Sequence, residues 1–245
     1  MAVRVAFDEL DSTQTEAVRR ARDGAEPGTY VIARLQRAGH GRLDHAWSSP
    51  PGGLYLSWIG RPPDAAPGLV PMAVGVELRA RVLEHAGVRT VLKWPNDLLV
   101  PGASGPRKLA GILVDRVEIP NGGSRVVVGV GVNVSMERSS LPLDLAERSA
   151  ILSELSESPP TVPTVARWVV ESIESAFDKL NAPGGPASIV AESRQHLYGV
   201  GEPVQIDGRP AGILRDLADD GAAEVENEGT RVAVHAGDLT VGVPA

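Results

Sequence analysis

Apolar and polar residues alternate over residues 3–7, a period of two that predicts a short strand. Thr13-Gln14-Thr15-Glu16 follows with the hydroxyl-to-carboxylate spacing of a capping box, which predicts a helix running to Gly24. Ser12 and Thr13 then stand at a helix N-terminus, where free N–H groups and the helix dipole favour polar ligand atoms. Two β-rich runs, residues 29–35 and 54–59, flank a glycine-containing loop, and Ser48-Ser49-Pro50-Pro51-Gly52-Gly53 forces irregular backbone before the second run. Residues 69–86 place Leu69, Val70, Ala73, Val76, Ala80 and Leu83 at helical spacing, predicting a long amphipathic helix on a sheet with Gly87 as its stop.

Short strands are predicted at residues 90–94 and 98–100, around a break at Pro95-Asn96-Asp97, and a loop then ends at Arg107. Residues 108–119 and 125–134 are long β-branched runs joined by Pro120-Asn121-Gly122-Gly123-Ser124, a hairpin by spacing and turn chemistry. Residues 135–160 are polar and irregular apart from 143–155, and they are expected to form a mobile loop carrying one short helix. Residues 164–180 predict a helix with Val165, Trp168, Val169, Ile173, Ala176 and Leu180 on one face, and residues 186–197 a last helical piece. Five short β-like runs separated by Gly or Asp then occur between Pro203 and Val243. The expected class is α+β: a mixed or antiparallel sheet flanked by helices over residues 1–197, and a small C-terminal β-barrel over residues 198–245.

Composition narrows the chemistry. At 245 residues the chain can bury about 70–75% of its unfolded surface, enough for a self-sufficient core. The net charge of −7 argues against broad nucleic-acid binding, yet Arg34, Arg37, His40 and Arg42 gather in one segment and leave room for a small-anion site. There is no cysteine, so disulfides, thiolate ligands and thiol nucleophiles are excluded. The start lacks a signal-peptide pattern and no apolar run reaches membrane-spanning length, so a cytoplasmic protein without a membrane partner is expected. The five histidines lack zinc-site spacing; any metal is expected to arrive on a phosphate ligand rather than in a protein cage.

Candidate chemistry lies in three segments. In Ala38-Gly39-His40-Gly41-Arg42-Leu43-Asp44-His45-Ala46-Trp47, two glycines let amides approach a ligand, Arg42 stays charged at any working pH, and Trp47 adds a ring. Lys93-Trp94-Pro95-Asn96-Asp97 places a cation, an amide and a carboxylate around a stiff turn. Lys108 opens the buried-looking run Leu109-Ala110-Gly111-Ile112-Leu113, and a lysine there needs an anion. A phosphate-binding loop of the G-x-x-x-x-G-K-[ST] type fails because Arg107 and Leu109 occupy its second glycine and hydroxyl positions. Gly129-Val130-Gly131-Val132-Asn133 lacks the third glycine of a dinucleotide fingerprint; its glycines suit a ligand lying against the strand, with Asn133 offering an amide.

Taken in order, these segments resemble the catalytic domain of the biotin protein ligase family over residues 10–134. Its Ser-Thr pair, Gln, Gly-Arg-Gly-Arg loop with following Trp, Lys-Trp-Pro-Asn-Asp, Lys-Leu-Ala-Gly-Ile-Leu and Gly-x-Gly-x-Asn stand here as Ser12-Thr13, Gln36, Gly39 to Arg42 with Trp47, Lys93 to Asp97, Lys108 to Leu113 and Gly129 to Asn133. The C-terminal β region is similar to the family's SH3-like domain. The resemblance implies a monofunctional biotin–[biotin carboxyl-carrier protein] ligase of class II synthetase-like fold, without the N-terminal DNA-binding domain of the family's repressors. Its substrates would be biotin and ATP with Mg²⁺, and its partner a biotin carboxyl carrier protein; homodimerisation is left open.

The resemblance also implies roles for residues. Lys108 would neutralise carboxylate and α-phosphate, Arg42 would hold the loop closed, and Asp97 would orient the incoming lysine or lie near Mg²⁺. Ser12, Thr13 and Gln36 would meet the ureido ring, with Gln14, Gly39, His40, Gly41, Arg42, Lys108 and Gly111 also on the biotin path. Trp47 would lie near the adenine, with Arg42, Asn96, Lys108 and Asn133 on the nucleotide. His40 departs from the family arginine. The alternatives from other classes are a lipoate-type ligase of similar fold and a biotin-binding regulator.

Overall fold

The computed structural model describes residues 3–120 and 123–242. Strand β1 (Arg4–Leu10) is followed by helix α1 (Thr13–Arg22) and strand β2 (Tyr30–Gln36), and β1 and β2 pair in parallel across this helical crossover. Strand β3 (Gly53–Gly60) is buried along its whole length between α1 on one face and, on the other, helix α4 (Val162–Asn181). Helix α2 (Val70–Ala86), strands β4 (Val91–Lys93), β5 (Asp97–Val100), β6 (Arg107–Glu118) and β7 (Ser124–Asn133), and helices α3 (Leu143–Arg148) and α5 (Gly185–Gln195) complete the larger part. Its sheet has the order β1-β2-β3-β7-β6-β5-β4 and is antiparallel except for the first pair, so it is mixed as expected. The turn predicted between β6 and β7 includes Asn121 and Gly122, which lie outside the described residues.

The two faces of this sheet carry different loads. Helices α2, α4 and α5 cover one face, where Leu54, Leu56, Trp58, Val128, Val130, Val132 and Ile112 join the main core. On the other face α1 covers only one part, with Ala17, Ala21, Val31, Ile59 and Val127 forming a smaller cluster. The remainder of that face, beyond the N-terminus of α1, is open.

The C-terminal chain forms five strands, β8 (Pro203–Ile206), β9 (Arg209–Leu217), β10 (Ala223–Asn227), β11 (Thr230–Val234) and β12 (Leu239–Val241). They make an antiparallel sheet of order β11-β10-β9-β8-β12. Val204, Leu214, Leu217, Ala223, Val225 and Leu239 join the main core cluster, so apolar packing runs unbroken from one sheet to the other. Trp94 Nε1 donates to Gly221 O at 3.0 Å and Arg194 donates to Leu217 O, tying the two together with buried polar contacts.

Three expectations change. Helix α1 is capped by Ser12, whose side chain accepts from Thr15 N, and not by Thr13; Glu16 therefore falls outside the capping box and pairs instead with Arg19 and Arg20. Helix α2 is not amphipathic in the expected sense. Met72, Val74, Leu78 and Val82 are buried while Ala80 and Leu83 are exposed, because α2 is enclosed by the sheet, α4 and α5 and buries much more than one stripe. Residues 135–160 are packed rather than loose: Met136, Leu141, Ala146 and Ile151 make their own cluster, and Arg138 donates to the Ala146 and Ser149 carbonyls and pairs with Glu154. Helix there stops at Arg148, and a 3-10 turn covers Leu152–Glu154.

Trp94→Phe removes the only side-chain donor to Gly221 O among the described residues at a buried position. The expected outcome is a loss of about 1–3 kcal/mol in urea unfolding, because a buried carbonyl is left without its partner; an unchanged midpoint would show that the contact does not hold the two sheets together.

Candidate active site

The open part of the sheet face is a cleft with about 130 Å³ of free volume. Its floor follows from the strand period. Along β7, Val128, Val130 and Val132 point into the main core, so Gly129 and Gly131 fall on the cleft side, and Gly111 of β6 is the cross-strand partner of Gly131. A Cβ at Gly131 would lie 2.6 Å from the Trp47 ring, one at Gly111 3.0 Å from it, and one at Gly129 2.4 Å from Gln14 Oε1. The missing side chains are the space that Trp47 and Gln14 occupy.

The loop over this floor closes on itself. Trp47 N donates to Gly39 O at 2.8 Å, Gly41 N to His45 O at 2.8 Å, and His40 and Ala46 form an antiparallel bridge. Leu43, at the tip, has a φ of 53° and is 62% exposed, a left-handed conformation unusual for a branched residue. A polar chain fastens the loop to the floor. Ser57 Oγ donates to Thr13 Oγ1, Thr13 N and Oγ1 donate to Gln36 Oε1 at 2.7 and 3.0 Å, Gln36 Nε2 donates to Ser49 Oγ at 2.8 Å, and Ser49 Oγ donates to Trp47 O. The first amide of α1 is thereby satisfied by a side chain from β2.

Lys108 reaches the cleft at the far end of the floor. Its Nζ lies 2.8 Å from Asp97 Oδ1, an ionic contact not aligned as a hydrogen bond, and 5.0 Å from the centre of the Trp47 ring. The anion that the lysine requires is supplied from β5, because Asp97 pairs with Gly111 in the β5–β6 register and so projects beside it. Arg42 donates to Gly237 O at 3.2 Å and reaches Asn96 Oδ1 at 3.5 Å, while Asn96 Nδ2 donates to Ile112 O at 2.7 Å. Two buried polar atoms over the glycines, Trp47 Nε1 and Gln14 Oε1, have no hydrogen-bond partner among the described residues.

The cleft brings together Ser12, Thr13, Gln14, Gln36, His40, Gly41, Arg42, Trp47, Asn96, Asp97, Lys108 and Gly111. It does not include Gly39 or Asn133. Gly39 is buried under its own loop, where a Cβ would meet Ser49 Oγ at 2.5 Å and Gln36 Nε2 at 2.7 Å. Asn133 lies past the cleft and donates through Nδ2 to Lys108 O at 3.0 Å. Sequence reasoning missed Tyr55 and Asp238. Tyr55 alternates onto the cleft face of β3, donates to Pro50 O at 2.6 Å, and is held neutral because burial pushes its phenol up. Asp238 comes from the C-terminal sheet, its Oδ1 3.5 Å from Lys93 Nζ, and only the tertiary fold brings it to the cleft.

Residues 6–133, which carry every element of this cleft except Asp238, match the biotin/lipoate A/B protein ligase family. The chain belongs to this family. Among its relatives, a bifunctional ligase/repressor BirA of Bacillus subtilis is 29% identical over 247 residues, covering 97% of this chain and 74% of that protein. A biotin–[acetyl-CoA-carboxylase] ligase of Mycobacterium tuberculosis is 28% identical over 240 residues, covering 93% and 85%. The solved biotin protein ligase from Aquifex aeolicus, in complex with biotin and ATP, has the same fold with a TM-score of 0.82 over 98% of this chain and 99% of that one, at 23% identity. The α+β class is thus the fold of this family, and no helix of the described residues is long and apolar enough to cross a membrane.

Gly39→Ala and Gly41→Ala separate packing from ligand contact within one loop. The first is expected to cost about 1–3 kcal/mol in thermal or denaturant unfolding, since nothing rigid around Gly39 can give way. The second has only His45 O at 3.7 Å to meet and a φ of −108°, so its cost is expected to stay within about 0.5 kcal/mol. Equal costs would show that Gly39 is not the packing residue.

Proposed function

We propose that this protein is an ATP-dependent biotin protein ligase. It activates biotin to biotinyl-5'-AMP and transfers the biotinyl group to a lysine of a biotin carboxyl carrier protein. The observation that carries the reading is one cleft holding a polar head, a glycine floor on which Trp47 and Gln14 lie, and a paired ammonium under a loop that carries a second cation. The relative named as a biotin–[acetyl-CoA-carboxylase] ligase, which matches over 93% of the chain, supports it.

In the first step a carboxylate oxygen of biotin attacks the α-phosphorus, the bond to the bridging oxygen breaks, and pyrophosphate leaves with the electron pair. Two anions must meet, and Lys108 stands where its charge faces both. Asp97 and the Trp47 face hold that ammonium in place before the ligands arrive, which is the preorganisation that electrostatic catalysis requires. Arg42, tethered to Gly237 O and Asn96, keeps the loop over the mixed anhydride and away from water. In the second step the carrier amine attacks the acyl carbon and AMP leaves; Asp97 is the cleft-wall carboxylate that takes up the amine proton.

Ser12, Thr13 and Gln36 serve the ureido end, where the α1 N-terminus and its polar chain lie. Trp47 and Asn96 serve the nucleotide end, and Asn133, outside the cleft lining, acts through the Lys108 carbonyl that it holds. Among the described residues no three His, Asp or Glu side chains converge on one point, so Mg²⁺ would be carried by the nucleotide's phosphates, with Asp97 and Asp238 as the cleft carboxylates that would face it. Residues 1–197 form the catalytic unit and residues 198–245 the small C-terminal one, in a cytoplasmic enzyme.

Incubated with ATP, Mg²⁺ and biotin, the native chain is expected to release pyrophosphate and form biotinyl-AMP, identified by mass. Lys108→Ala is expected to lower this rate at least about 100-fold with the fold intact, and unchanged pyrophosphate release would remove Lys108 from the role. Lipoyl-AMP formed from lipoate in place of biotinyl-AMP would overturn the substrate assignment. His40→Arg is expected to match the native rate, because Arg42 and Lys108 already supply the charge; activity in the arginine variant alone would overturn that.

A further inference from the structure

Gln14 sits in the first turn of α1 at the head of the cleft, 4% exposed, with its side-chain amide held from one end only. Its Nε2 donates to Asp115 Oδ2 at 2.9 Å and to Val127 O at 3.2 Å. A carboxylate and a carbonyl are both acceptors with no proton to give, so the amide has one orientation, with Nε2 toward β6 and β7. The atom left over the cleft floor is Oε1. It is buried without a partner among the described residues, directly above the bare Gly129. The neighbouring hydroxyl, Ser57 Oγ, cannot serve it, since its proton goes to Thr13 Oγ1 at 3.0 Å. An unpaired buried acceptor in the cleft lining is a demand for a donor that none of the described residues supplies.

We propose that Asp115 is a positioning residue that sets substrate choice. By fixing the Gln14 amide it presents a hydrogen-bond acceptor at the head of the cleft, which selects a head group carrying ring N–H donors, such as a cyclic urea. A head group of carbon and sulfur leaves Oε1 unpaired, and this is the physical basis on which the cleft favours biotin over lipoate. The inference rests on the ligase reading above and deepens it. Asp115 acts through Gln14: it lies on the α1 side of β6, opposite Val127 of β7, and is absent from the cleft lining.

The test uses the whole chain and direct binding by titration calorimetry. The probes are biotin and its two carbamate analogues, in each of which one ring N–H is replaced by oxygen. In the native protein one analogue is expected to bind at least tenfold more weakly than biotin, because its ring oxygen faces Gln14 Oε1. In Asp115→Leu the carboxylate that anchors Gln14 Nε2 is gone, Val127 O alone holds the amide, and the preference for biotin over that analogue is expected to fall at least tenfold. Asp115→Glu and Asp115→Asn each keep an acceptor oxygen and are expected to keep the preference, a rescue that a merely structural role would not produce. An unchanged preference in Asp115→Leu overturns the proposal. Should that variant fail to fold, Gln14→Met is expected to lose the same preference, and retention of it overturns the proposal equally. Native protein that binds no biotin and forms no biotinyl-AMP overturns the ligase reading instead, so the two failures are distinct.

Discussion

Strand β7 must serve two faces at once, and the period of two decides how. Every second residue from Val126 to Val134 belongs to the main core, so the residues between them are the only ones free to be small. Where α1 covers the face, Val127 fills the gap; where α1 ends, Gly129 and Gly131 leave it empty. The rest of the site depends on this vacancy. Trp47 can lie against the sheet because Gly131 and Gly111 face each other beneath it, and Lys108 can then rest its ammonium near the ring face while Asp97 neutralises it. Gln14 can enter the same floor because Gly129 yields the room.

The chain as a whole is acidic, yet the cleft lining sets two fixed cations, Arg42 and Lys108, against two carboxylates, Asp97 and Asp238. That contrast is sustained locally rather than by net charge. Lys108 and Arg42 are held by different partners, a carboxylate for the lysine and neutral oxygens for the arginine. The two cations therefore respond differently to an arriving anion. Lys108 must share its charge with Asp97, while the Arg42 contacts, Gly237 O and Asn96 Oδ1, are neutral oxygens that leave its charge to the ligand.

Much of this was legible in the sequence, for reasons that can be named. The alternation of valine and glycine through residues 128–132 announces a strand that a ligand can approach, and the run beginning at Lys108 announces a charge in need of a partner. The identity of the partner was not legible, because Asp97 comes from β5 through strand register and no local pattern encodes that. Thr13 reads as the cap because its spacing to Glu16 is ideal, but Ser12 captures Thr15 N and frees Thr13 to bond Gln36. The segment 135–160 reads as loose because its anchors, Met136, Leu141 and Ile151, follow no period; its order comes from Arg138 gathering carbonyls, a contact without a sequence signature. Asp238 was invisible for the plainest reason, a separation of well over a hundred residues from Lys93 and the rest of the cleft lining.

The same reasoning separates the two kinds of polar group around the cleft. Those that bond one another, Ser57, Thr13, Gln36 and Ser49, form a closed chain whose donors and acceptors are spent on holding the loop. They shape the site, and their chemistry toward a ligand is limited to what each has left over. Trp47 Nε1 and Gln14 Oε1 are instead buried, unpaired and of opposite kind, a donor near the lysine end and an acceptor at the α1 end. Burial without a partner is costly, and packing alone gives no reason to keep a polar atom where an apolar one would do. A ligand that is an anion at one end and an N–H donor at the other would give each of these two atoms the partner it lacks.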